Sequence, residues 1–342
     1  MSDSAVAVIS DAHLGEKNSW MERDRVQSAV VAAIAHRTST RTLVLLGDTL
    51  DLNFGTLTTA IEGRLEGSGR RPGFRALLDA VCKGTAVDSV VYVPGNHDYM
   101  IWDWEAQQRN VLSQLARGNQ LCGSLLTSGE FGDPFLAGLV PAGRPVSFTL
   151  AYPHYVAGIG EHKVVMTHGH HFERVQCGGV ALADIARETD RERFLRKMAI
   201  AMAQYQTFAH MLAMRRHSRQ DIHRWYWALT RPIDAISDLI NAVRGMRGHL
   251  PSRGTFEAIN LYLRFLAAET KASALVYGHS HRPGGWLPGK HPVSVPVYNC
   301  GSFVPPRSAD ASMLFLGPGE KGLGVELVSF SASGGESSVS LT

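Results

Sequence analysis

Val90-Val91-Tyr92-Val93-Pro94-Gly95-Asn96-His97-Asp98 joins a short apolar run to a Pro-Gly turn, followed at once by an amide, an imidazole and a carboxylate. The run is nearly continuous in its apolar character and too short for a helix, which predicts a strand buried on both faces. The turn delivers the polar side chains just past the strand's carboxyl end. Four more segments repeat the design. Ala5 to Ser10 leads into Asp11-Ala12-His13, and Thr42 to Leu46 into Gly47-Asp48. Lys163 to Met166 leads into Thr167-His168-Gly169-His170, and Ala274 to Tyr277 into Gly278-His279-Ser280-His281. Between the first strands, Arg25 to His36 carries Val26, Ala29, Val30, Ala33 and Ile34 at helical spacing, and Phe74 to Cys82 reads as a second helix. Strand alternating with helix predicts an α/β fold with parallel pairing and crossover helices. In such a sheet, groups at the carboxyl ends of the strands gather in one crevice.

Beyond the first half the texture changes. Val146 to Tyr152 and Lys163 to Met166, separated by a segment with Gly158 and Gly160, read as a hairpin or adjacent strands. A long stretch rich in Arg, Met and Trp follows, with helical stripes such as Leu195, Met198, Ala199, Met202, Tyr205 and Phe208. Thr255 to Lys271 reads as another amphipathic helix, and Val295 to Asn299 as a late strand. The expected organisation is a core in two parts, 1–171 and 254–330, a helical insertion at 172–253, and a flexible Ser/Gly-rich tail at 331–342.

Composition bounds the function. The 342 residues carry a net charge of only +3, which argues against a nucleic-acid partner. Cys82, Cys122, Cys177 and Cys300 are widely spaced, unlike a disulfide framework or a thiolate zinc site, and suit a reducing compartment. No secretory leader and no apolar run of about 18 residues is evident, so a cytoplasmic location is expected, with peripheral membrane contact left open. No Gly-Lys-Ser/Thr phosphate loop is present, which excludes an NTP-driven motor or kinase of that type. Fourteen Lys and Arg against eight Asp and Glu make 172–253 the one basic region. It suits a cap over a phosphorylated substrate, a membrane contact or a homodimer interface.

The five clusters hold carboxylates, imidazoles and one amide, with no thiolate. Such a donor set suits Mn²⁺ first, and Fe or Zn²⁺ as further candidates, in an open site. Residues i and i+2 of a strand point the same way, so Asp11 with His13, and His279 with His281, can each converge on one ion. The donors are too many for one tetrahedral ion, and a carboxylate such as Asp48 can bridge two ions roughly 3.5–4 Å apart.

Asp-x-His, Gly-Asp, Gly-Asn-His-Asp, His-Gly-His and Gly-His-Ser-His in this order resemble the calcineurin-like metallophosphoesterase superfamily. The resemblance covers Val6 to Val304 apart from the helical stretch. It implies a four-layer α/β/β/α sandwich with an inserted helical cap and a dinuclear metal centre on the strand-end loops. Carried over by motif, Asp11, His13, Asp48 and His281 hold the first ion, and Asp48, Asn96, His168 and His279 the second. His97 matches the histidine that contacts phosphate and protonates the leaving group, and Asp98 the acid that orients it. The implied activity is phosphohydrolysis of an ester or pyrophosphate by a metal-bridging hydroxide, on a phosphorylated small molecule or a lipid-linked substrate. Alternatives are a phosphodiesterase or nuclease of the same superfamily, and a non-catalytic scaffold that keeps the fold. The wording "GDTLDL", "THGHHFE" and "YNCGSFV" resembles the branch containing UDP-2,3-diacylglucosamine diphosphatase. Enzymes of that activity carry Arg where this chain has His97, which points away from that particular substrate. Asp51 is expected to cap a helix or support a ligand, His170 to stand behind the ligands or touch substrate, and Asn299 and Ser302 to brace the site.

Overall fold

The computed structural model describes residues 5–66, 69–119, 128–172, 253–265, 270–304, 310–320 and 322–342, with the single residues 190, 193, 197 and 251. In chain order these form β1 (Ala5–Ile9), α1 (Asp24–His36), β2 (Thr40–Leu46), α2 (Leu57–Glu62), β3 (Leu65–Glu66), β4 (Gly69–Arg70), α3 (Phe74–Gly84) and β5 (Ser89–Val93). Then come α4 (Tyr99–Ala116), β6 (Gly129–Gly132), β7 (Ser147–Tyr152), β8 (His154–Ile159), β9 (His162–Thr167) and α5 (Arg253–Phe265). The last elements are β10 (Ala274–Tyr277), β11 (Gly284–Trp286), β12 (Val297–Asn299), β13 (Ala311–Gly319), β14 (Gly322–Phe330) and β15 (Glu336–Ser340).

The chain divides into two compact units, Met1–His170 with Leu266–Thr342, and His171–Phe265. The helical insertion expected at 172–253 falls almost wholly outside the described residues. Within the second unit α5 is amphipathic, and its Tyr262 ring lies 4.7 Å from that of His171 and 5.4 Å from that of Phe172.

The larger unit contains two main sheets. One has eight strands in the order β15-β14-β13-β1-β2-β5-β7-β6, and the other five in the order β11-β12-β10-β9-β8. β1, β2, β5 and β7 run parallel, as do β9, β10 and β12, so both sheets deliver strand ends in the sense the alternation predicts. Alternate residues explain how the sheets meet. Val6 and Val8, Val44 and Leu46, and Val91 and Val93 share one apolar cluster with Val164 and Met166, and with Ala274 and Val276. The intervening residues of the large sheet face its other side, where Tyr92 of β5 meets Phe74 of α3 edge-on, ring centres 6.0 Å apart. Both faces are therefore apolar, which is why these strands read as continuous runs. This is a two-sheet mixed α/β sandwich, the architecture that the resemblance implies.

Three local expectations change. Val146–Tyr152 and Lys163–Met166 do not pair: β7 belongs to the large sheet and β9 to the small one, and the hairpin partner of β9 is β8. β8 carries Gly158 and the turn after it Gly160, which made the segment look like a turn throughout. The tail expected to be loose forms β15, registered on β14 from Glu336 opposite Phe330 to Ser340 opposite Glu326. Its serines face solvent at a sheet edge, so composition alone concealed the pairing. Lys271, placed in a helix from sequence, sits in a turn with φ of 50°.

Leu46 lies in the inter-sheet cluster and is fully buried. Leu46→Ala should lower unfolding free energy by about 2–5 kcal/mol, measured by urea denaturation of the metal-free protein.

Candidate metal centre

Every one of the five polar clusters lies just past a strand, and backbone hydrogen bonds lace their loops together. Asp11 N donates to the Gly47 carbonyl at 3.0 Å, His13 N to that of Asp48 at 2.7 Å, and Gly278 N to that of His168 at 3.0 Å. Phe303 N donates to the Asp11 carbonyl at 3.0 Å, and Asn299 Nδ2 to the Gly278 carbonyl at 2.7 Å. Asn299 and Ser302 thus brace two ligand loops from behind, as expected.

The loops do not converge by strand pleat. β1 stops at Ile9 and β10 at Tyr277, before the residues in question. Instead Asp11, His13, Asp48, His279 and His281 all adopt left-handed backbone, with φ of 52°, 46°, 48°, 64° and 57°. Such conformations cost of order 1–3 kcal/mol each outside glycine and cluster at functional sites. Gly47, at φ of 80°, has a different reason for being glycine: a Cβ there would run into the His168 ring.

The side chains gather in groups whose donor atoms lie within 4.8 Å of one another: Asp11 with His13 and His281, His13 with Asp48 and His97, and Asp48 with His168 and His279. Asp48 Oδ2 stands between the halves, 3.7 Å from His13 Nε2 and 3.2 Å from His168 Nε2. Asp11 Oδ1 is 3.1 Å from His281 Nε2, and Asn96 Oδ1 is 3.2 Å from His168 Nε2. All seven ligand candidates from the sequence are therefore brought to one place, and Asp48 belongs to two of the donor groups.

Two kinds of observation test whether this set fits cations. Asp11 Oδ1 and both ring nitrogens of His13 are buried without hydrogen-bond partners. A neutral site would leave such atoms at a cost of about 1–3 kcal/mol each, so the donors suit positive ions. Charge compensation says the same. Burial alone would raise Asp11, but His168 and His281 outweigh it and hold its carboxyl at about 2. Asp48 is likewise driven well below the carboxylate range by His168 and His97, against burial. In return Asp48 and Asp11 lift His168 to about 9, overcoming the opposite effect of burial. Without metal, protonated histidines are the counter-charges of the buried carboxylates.

Asp98 has a different role from the one expected. Its carboxylate accepts from Gly95 N at 2.6 Å, Thr49 N at 2.8 Å, Leu50 N at 3.2 Å and Asp48 N at 3.3 Å, and from the Tyr92 hydroxyl at 2.6 Å. These bonds saturate it and tie the Gly47 loop to the Gly95 loop. The acid facing His97 is Asp51, whose Oδ1 is 3.4 Å from His97 Nδ1 while its Oδ2 is 3.4 Å from His13 Nδ1. Nor does Asp51 cap α2, whose N-terminus is capped by Thr56. Glu16, unmarked by any motif, adds Oε2 at 3.8 Å from His13 Nδ1. The i, i+3 spacing from His13 was its only signal. His97 remains partly exposed beside Phe54, ring centres 5.6 Å apart, and His170 packs 5.5 Å from His168.

The family description "Calcineurin-like phosphoesterase" matches residues 4–283. The chain belongs to the calcineurin-like phosphoesterase family. Among solved structures this phosphoesterase is similar to a dimetal phosphatase from Danio rerio, at 13% identity and a TM-score of 0.39, covering 100% of each chain. A conserved uncharacterized protein from Streptococcus pneumoniae TIGR4, described as a predicted phosphoesterase, matches at 13% identity and a TM-score of 0.34, over 98% of this chain and 97% of that one. A single mutant of Vps29 from Entamoeba histolytica matches at 12% identity and a TM-score of 0.39, over 99% of both chains. No curated protein matches the sequence. Among the described residues no helix is long and apolar enough to cross a membrane.

Metal uptake by the phosphoesterase must displace the protons its histidines hold. His168, raised to about 9, is protonated at pH 7, so Mn²⁺ affinity should climb as pH rises and level off above about 9. Each displaced proton contributes about tenfold per pH unit. Calorimetric titration in buffers of different ionisation heat should register proton release near pH 7.

Proposed function

We propose that this protein is a dinuclear metal-dependent phosphohydrolase that cleaves a phosphoester or pyrophosphate bond. The observation that carries the reading is Asp48, buried and shared between two groups of imidazole and carboxylate donors. Asp11, His13 and His281 would complete one ion's donors, and Asn96, His168 and His279 the other's. Mn²⁺ is the first candidate on donor chemistry, with Fe and Zn²⁺ next. When bound, two such ions would neutralise phosphoryl charge and lower the pKa of the attacking water.

The chain's own residues supply the remaining steps. His97 stands at the open side of the site, and Asp48 and Asp51 raise its imidazole to about 10 against burial. In the metal-free protein it therefore carries a proton at neutral pH. From there it can donate a hydrogen bond to a phosphoryl oxygen and pass its proton to the leaving oxygen. Asp51 positions that ring by facing its Nδ1, which leaves Nε2 as the working atom. Asp98 holds the two loops that carry Asp48 and His97 in register. Substrates of the nucleotide-sugar or lipid-linked class are supported by the motif wording shared with the UDP-2,3-diacylglucosamine diphosphatase branch, and a cytoplasmic location by the cysteine pattern. His97 speaks for a relative of that branch with a different substrate.

With Mn²⁺ the protein should hydrolyse bis(p-nitrophenyl) phosphate, and Asp48→Ala should abolish turnover. His97→Ala should retain bound metal and lose about 10²–10⁴-fold on an alkyl ester or pyrophosphate, with a smaller loss on aryl esters, whose phenolate leaves without a proton. Inactivity of the metal-loaded wild type toward all three bond types would overturn the reading.

A further inference from the structure

A large apolar side chain stands exposed beside the metal centre, and neither metal binding nor proton transfer uses it. Phe54 is 40% exposed, and its ring centre lies 5.6 Å from that of His97, with the two planes tilted by 52°. His97 also packs edge-on against His13, a ligand candidate, with ring centres 4.7 Å apart. Its neighbours are thus of two kinds, a metal ligand and an apolar ring. A solitary exposed phenylalanine is ordinary on a protein surface. Position and rigidity set Phe54 apart.

The segment that carries it is fastened to the site. Phe54 N donates to Asp51 Oδ1 at 2.8 Å, and the same oxygen faces His97 Nδ1 at 3.4 Å. One carboxylate oxygen therefore fixes the Phe54 backbone and the His97 ring relative to each other. Leu52 N donates to the His97 carbonyl at 3.2 Å, and Asn53 Nδ2 to that of Asn96 at 3.4 Å. Gly55 N closes the turn onto the Asp51 carbonyl at 3.2 Å, and a Cβ on Gly55 would run into that carbonyl. A side chain presented by so constrained a turn meets a ligand at a small ordering cost.

The placement also selects which part of a ligand reaches the ring. Phosphorus belongs at the metal centre, and the oxygen that takes the His97 proton is the leaving oxygen. Whatever that oxygen carries is set down beside His97, where Phe54 offers an apolar face and no side-chain hydrogen-bonding group. A phosphate or a hydrated polar alcohol gains little there. An apolar group gains by leaving water.

We infer that Phe54 is a specificity-determining residue of this centre, a platform for an apolar group on the leaving oxygen. The assignment rests on the phosphohydrolase reading and narrows it to esters of apolar alcohols or phenols.

Equilibrium binding of phosphonates to the Mn²⁺-loaded chain tests the platform without turnover, because their carbon–phosphorus bond replaces the bond that would be cleaved. Benzylphosphonate and hexylphosphonate should bind about tenfold more tightly than methylphosphonate, the effect of shielding one face of a ring. Phe54→Ala should remove that preference, and Phe54→Leu should keep most of it. A gain confined to the benzyl group or to the hexyl chain supports the platform and names a ring or a chain as its occupant. No preference over methylphosphonate, or a preference that survives Phe54→Ala, overturns the inference. In turnover with Mn²⁺, Phe54→Ala should lower kcat/KM more for p-nitrophenyl phosphate than for inorganic pyrophosphate. The reverse order would also overturn it, since a variant acting only through His97 spares the phenolate, which leaves without a proton. A Phe54-dependent preference in a protein without turnover supports the platform and overturns only the phosphohydrolase reading. Circular dichroism of both variants, matched to wild type, ties any loss to the ring.

Discussion

Three carboxylates, Asp11, Asp48 and Asp51, are buried within reach of the same imidazoles, and their mutual repulsion is the constraint to which the rest of the site answers. Removing a carboxylate from water costs several kcal/mol even after relaxation. Positive charge must therefore stand between them. In the metal-free protein it comes from histidines that the carboxylates hold protonated; two divalent ions would supply it with more charge and would release those protons. The left-handed turns at five of the ligand residues belong to the same account. A backbone that would relax elsewhere is held in place by cross-loop hydrogen bonds, and by Asp98, which accepts from both loops at once.

Much of this could be read from the chain. Strands buried on both faces leave short continuous apolar runs, and polar clusters at their ends point to a shared crevice; β1, β2, β5, β9 and β10 were legible for that reason. What escaped was structure whose residues lack such contrast. β15 is a solvent-facing edge strand of serines, and its pairing depends on β14, which lies nearby only in the fold. β8 contains Gly158 and runs into Gly160, so it mimics a turn. α4 follows directly on the Gly-Asn-His-Asp cluster, and polar residues interrupt its apolar positions.

The site shows the same division between local and long-range information. Ligand types and order were visible because each motif is contiguous. Which acid faces which imidazole was not, because Asp51 and Asp98 are separated from their partners by loops whose path depends on left-handed residues. Asp98, adjacent to His97 in sequence, turns away from it to collect four backbone N–H groups and a tyrosine hydroxyl. Asp51 crosses from the neighbouring loop to take its place.

Counting the ions tests the central claim most directly. Equilibrium dialysis against Mn²⁺ at pH 8, read by elemental analysis, should find two ions per wild-type chain, with both lost or severely weakened in Asp48→Ala. A single ion in the wild type, or two ions retained without Asp48, would contradict a centre built around one shared carboxylate.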